Sequence, residues 1–83
     1  MRSIKYSKIA AKSLIRLDSH TKTRMEEAIL QIADNPLLGK KLKGNFAKEK
    51  LRSLKVWPYR IIYRFESNLL EIVYVEHRKD VYR

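Results

Sequence analysis

The sequence predicts an α+β fold with element order β-α-α-β-β-β. Three observations carry this prediction. Apolar positions recur at helical spacing up to Asp34 and switch to alternation after Glu49. The two helical stretches are separated only by Asp18-Ser19. Three alternating stretches then follow one another across the short turns Trp57-Pro58 and Glu66-Ser67-Asn68. Consecutive strands with short turns form an antiparallel sheet, and two closely joined helices form an αα-hairpin packed on one face of it.

Ser3-Ile4-Lys5-Tyr6 alternates and is predicted to be a short strand, with Ile4 and Tyr6 inward. It joins the sheet beside the last strand or along an edge. Ser7 is a good N-cap, because its hydroxyl can accept from an early unpaired N–H. Ala10, Leu14 and Leu17 then give one apolar face to a helix over 8–17. Asp18 or Ser19 caps the next helix, whose core stripe is Met25, Ala28, Ile29, Ile32 and Ala33. Asn35-Pro36 ends it, since proline pushes the preceding residue out of the helical region.

Residues 36–48 are expected to form a loop tacked to the core by Leu37, Leu38 and Leu42. Leu54 and Val56 mark the next strand. Pro58, lacking an N–H, belongs in a turn, and Trp57 is taken as a residue that packs that turn, with a base-stacking platform as the alternative. Tyr59, Ile61, Tyr63 and Phe65 form the more apolar side of the following strand and should face the helices. Arg60 and Arg64 then share the open side with Ile62. Leu70, Ile72 and Tyr74 are assigned to one face of the last strand.

Composition restricts function. The 83 residues suit a single domain, 1–83, too small for a deep enclosed cofactor pocket, so no cofactor is expected. No cysteine and two histidines argue against a structural zinc, and no metal site is expected. The longest apolar run, Ile72 to Val75, is far short of a membrane span. The first acidic residue is Asp18, as in a transit peptide, but the apolar positions before it are needed for the core. A cytoplasmic protein without a membrane partner is therefore expected.

There are 19 Lys and Arg against 9 Asp and Glu, and the surplus is clustered. Residues 36–64 hold nine basic side chains (Lys40, Lys41, Lys43, Lys48, Lys50, Arg52, Lys55, Arg60 and Arg64) and one acidic, Glu49. Such a concentration points to a polyanion, with nucleic acid the foremost candidate. Lys40, Lys41, Lys43, Lys48, Lys50, Arg52 and Arg64 are accordingly assigned to nucleic-acid contact, which the resemblance described below makes RNA contact. Hairpin geometry brings His77-Arg78, at the end of the last strand, beside Tyr59-Arg60. Lys55 should reach the same rim. The expected site gathers Lys55, Arg60, His77, Arg78 and Tyr82, a cationic cluster suited to a phosphate.

Two stretches, Tyr59-Arg60-Ile61-Ile62-Tyr63 and His77-Arg78-Lys79-Asp80-Val81-Tyr82, together with the helical hairpin ending in Asn35-Pro36 and followed by Lys41-Leu42-Lys43-Gly44, resemble the RelE/ParE superfamily of bacterial and archaeal toxins. The basic cluster and terminal tyrosine are more similar to the RelE branch. That resemblance implies a RelE-like fold and a type II toxin that cuts mRNA in the ribosomal A site, alongside ribosomal RNA. It also implies neutralisation by a cognate RelB-like antitoxin. Arg60 would stabilise the scissile phosphate, Arg78 would bind it or protonate the leaving 5′ oxygen, and Tyr82 would stack on a base or assist the 2′-OH. The two alternating lysines usual in RelE-like enzymes are replaced by Leu51 and Ser53, with Lys55 on the same face. The general base is left open between His77 and Lys55. The rival readings are a ParE-like gyrase inhibitor and a non-catalytic nucleic-acid-binding module.

Overall fold

The computed structural model describes residues 2–44 and 49–78. Strand β1 (Ser3–Tyr6) leads into helices α1 (Lys8–Ile15) and α2 (Ser19–Asp34). A 3₁₀ turn (Pro36–Leu38) and strands β2 (Lys40–Lys41), β3 (Arg52–Val56), β4 (Tyr59–Glu66) and β5 (Leu69–His77) follow. The sheet order is β1-β5-β4-β3-β2. All neighbours are antiparallel except β1, which runs parallel to β5 at the sheet edge.

Local chemistry sets the helix starts. Ser7 Oγ accepts from the Ala10 N–H at 3.0 Å, and Asp18 Oδ1 accepts from the Thr21 N–H at 2.8 Å. Each satisfies a donor that the first helical turn leaves unpaired. Hydrogen bonds from the Thr21 side chain and then its backbone N–H hold the Asp18 carboxyl below the usual carboxylate range. The buried stripe of α2 is Met25, Ala28, Ile29, Ile32 and Ala33. With Ala10 of α1 it forms one core against Val56, Ile61, Tyr63, Leu70 and Ile72. Among the described residues, no helix is long and apolar enough to cross a membrane.

Two segments differ from expectation. Leu37 and Leu38 do not tack the central segment down; they are 65% and 49% exposed. Pro36 and Gly39 are buried instead. The Tyr63 hydroxyl donates to the Pro36 carbonyl at 2.6 Å and accepts from the Gly39 N–H at 2.8 Å. Gly39 must be glycine, because a Cβ there would lie 2.7 Å from the Ser53 carbonyl oxygen and on top of the Tyr63 ring. This latch brings Lys40 and Lys41 alongside β3 as a short strand.

The second difference is a bulge in β5. Tyr63 pairs with Ile72 and Ile62 with Tyr74, so Val73 is the extra residue. One extra residue reverses the side-chain alternation beyond it. Tyr74 therefore lies on the open face, opposite Ile62, while Val75 packs against the core.

Candidate functional site

The face of the sheet away from the core is organised as cross-strand rows. Lys55, Arg60 and Glu76 are directly opposite one another on β3, β4 and β5. Arg60 Nη2 donates to Glu76 Oε2 at 3.1 Å, with the two side chains 29% and 37% exposed. Arg60 Nε is buried and has no hydrogen-bond partner among the described residues. The next row is Lys40, Ser53, Ile62 and Tyr74. Beyond it, Arg64 Nε donates to Glu71 Oε1 at 2.7 Å. This hydrogen bond, and then the carboxylate charge, raises the Arg64 pKa above its ordinary value. Lys5 of β1 is opposite Glu71 on the far side.

Lys55 and Arg60 thus meet on one row. His77 does not join them, because the bulge turns it to the helix-facing side. There it pairs with Tyr59 in an edge-on contact, ring centroids 4.9 Å apart. A shallow hollow of about 210 Å³ beside it is bounded by Ser13, Arg16 and Leu17. Arg78 closes the rim: its N–H donates to the Pro58 carbonyl at 2.8 Å, and its guanidinium lies 4.2 Å from the Trp57 ring centroid. Tyr82 is outside the described residues.

Of the residues assigned to RNA contact, Lys40, Lys41, Lys43 and Lys50 are exposed, and Lys48 is outside the described residues. Lys41 and Lys50 border an apolar groove of about 400 Å³ floored by Leu42, Leu51 and Phe65. Arg52 is directed inward, donating to the Gly39 carbonyl at 2.7 and 3.2 Å and to Leu37 at 3.4 Å. Its guanidinium supports the latch around Tyr63. The site also contains a group that sequence reasoning set aside, Glu76. Its place beside Arg60 depends on the bulge at Val73, for which residues 69–77 give no signal. Among the described residues, no three His, Asp or Glu side chains gather as a metal-binding group.

A family model of the ParE toxin of the type II toxin–antitoxin system parDE matches residues 4–82. The chain belongs to this family. Solved structures agree on the fold of the toxin. The isolated E. coli RelE toxin superposes with a TM-score of 0.79 at 16% identity, covering 93% of this chain and 84% of that one. The YoeB toxin in its complex with YefM from Staphylococcus aureus gives 0.77 at 20% identity, covering 93% and 97%. The RelB–RelE complex from Methanococcus jannaschii gives 0.72 at 24% identity, covering 94% of each chain. No curated protein matches the sequence. The toxin is thus a member of the RelE/ParE superfamily, with a mixed five-stranded sheet carrying two helices on one face.

Proposed function

We propose that this toxin is a metal-independent endoribonuclease that cuts mRNA in the ribosomal A site and thereby stops translation. The observation that carries the reading is the row Lys55–Arg60–Glu76, which combines two cations with a carboxylate on one open strand face. The arrangement suits in-line attack of a ribose 2′-OH on its own phosphodiester. Glu76 takes the 2′-OH proton as the O2′–P bond forms. Arg60 holds the non-bridging oxygens as their charge builds. The P–O5′ bond breaks, and the Lys55 ammonium gives its proton to the leaving 5′ oxygen. The products are a 2′,3′-cyclic phosphate and a 5′-OH. A positioned donor of the Arg60 kind contributes about 10²–10³-fold, and a positioned base about 10²–10⁴-fold. The ribosome supplies substrate orientation, through the mRNA and ribosomal RNA it presents to the basic segment 36–64.

The neutralising partner is a RelB- or YefM-like antitoxin. The toxin's net charge of +10 favours an acidic segment that folds on binding. Several superposable toxins were solved in complexes with antitoxins of these kinds.

The test is primer extension on mRNA after incubation with translating ribosomes. Wild-type protein is expected to leave cuts whose upstream fragments end in cyclic phosphate. Arg60→Ala is expected to lower cutting by about 10²–10³-fold. Wild-type-like cutting by Arg60→Ala would reject the site. The family model, which is one of ParE toxins, favours a second reading, inhibition of DNA gyrase. Supercoiling blocked by the toxin with no RNA cut would establish that alternative. Salt-dependent RNA binding without either effect would leave a plain binding module.

A further inference from the structure

Trp57 is 57% exposed in the turn it occupies. Its position is nevertheless held from two sides. The Arg24 guanidinium donates to its carbonyl at 2.9 Å, and the Arg78 guanidinium lies over its ring. Strand β2 pairs with β3 only at Arg52 and Ser53, which leaves Leu54–Val56 as the sheet edge among the described residues. Between that edge and α2 runs a groove of about 270 Å³, bordered by Arg24, Glu27, Gln31, Lys55, Val56 and Trp57. Lys55 belongs both to this groove and to the Lys55–Arg60–Glu76 row.

We infer that this groove is a nucleobase subsite, in which an unpaired base of single-stranded RNA stacks on the Trp57 indole while its phosphate passes Lys55. The inference rests on reading the Lys55–Arg60 row as the path of the RNA backbone. An exposed aromatic ring beside cations is the usual platform for an unstacked base, because every base has a π-face and the cations hold its phosphate. Arg78 over the indole is a cation–π contact that orients the ring. Glu27 and Gln31 are four residues apart on α2 and so share one helix face. Between them they offer acceptors and donors to the edge of the base, which makes this groove a place where sequence preference is set. Charge selects RNA over an acidic protein segment as the occupant only in combination with the ring, so the two occupants are separated by experiment.

The chain has a single tryptophan, so its fluorescence reports this residue alone. The full-length protein is titrated with a short 2′-O-methyl RNA, which binds but cannot be cut. Saturable quenching is expected with this RNA, and none with an abasic oligonucleotide of the same length. With labelled RNA at fixed salt, Trp57→Ala is expected to bind about tenfold or more weakly. Trp57→Phe should recover most of the affinity, which excludes misfolding as the cause. Equal quenching by the abasic strand, or wild-type affinity in Trp57→Ala, would overturn the subsite. Quenching by polyglutamate but not by RNA would overturn it in favour of a protein partner. Because the RNA here is uncuttable and free of ribosomes, quenching in a protein that cuts no mRNA would uphold the subsite while removing the nuclease reading. The reverse pattern would do the opposite.

Discussion

Removing one oxygen atom, by Tyr63→Phe, tests how the central segment is fixed to the sheet. Tyr63 is fully buried, and its ring packs in the core with Ile61, Leu70 and Ile72. Phenylalanine retains that ring and its apolar contacts. What disappears is the hydroxyl that donates to the Pro36 carbonyl and accepts from the Gly39 N–H. Both backbone groups are in buried residues, so water does not readily replace the lost partner. A buried group left without a partner costs about 1–3 kcal/mol, and the carbonyl, with two lone pairs, sits at the low end of that range. The expected loss is therefore about 2–4 kcal/mol. Against a total of about 4–12 kcal/mol for a domain of this length, that is a large fraction. Urea denaturation followed by circular dichroism should show a lower midpoint with an unchanged slope, because the surface exposed on unfolding is the same. Thermal melts should fall by about 10 °C or more. A loss under about 0.5 kcal/mol would refute the reasoning, since it would mean that the two backbone groups find other partners.

Two further outcomes follow from the charges. The Asp18 carboxyl is held below its unfolded value, so its contribution to stability is present above the ordinary carboxylate pKa and lost as pH falls through the folded one. Asp18→Ala should be less stable than wild type at pH 7, and the gap should close in acid; a gap independent of pH in denaturation curves would show that the cap bond is not its source. Glu76→Gln keeps an oxygen for the Arg60 bond but removes the base. Cutting should drop by about 10²–10⁴-fold while RNA binding, measured by anisotropy, is undiminished; parallel losses of both would make Glu76 a structural partner of Arg60 only.

Local interactions were legible in the sequence. Ser7 and Asp18 cap their helices with donors three residues away, a relation that needs no tertiary knowledge. The outward placement of Arg60 and Arg64 was also legible, because Tyr59, Ile61, Tyr63 and Phe65 mark the core side of β4 and its register with β3 carries no extra residue. Strand β5 is different. Ile72-Val73-Tyr74-Val75 is apolar at every position, so alternation carries no phase there, and a bulge leaves no mark in composition. The partner of the bulged residue is remote: Ser7 Oγ donates to the Val73 carbonyl at 2.7 Å across 66 positions of sequence. The same serine thus caps α1 and satisfies the carbonyl of the extra residue in β5. That register decides the chemistry of the rim. With unbroken alternation from Leu70, His77 would share the open face with Arg60, and Glu76 would face the helices. With the bulge, the row reads Lys55–Arg60–Glu76, two groups that attract a phosphate next to one that accepts a proton. A face of cations alone can hold RNA; the carboxylate brought round by Val73 is what lets the proposed site also activate the 2′-OH.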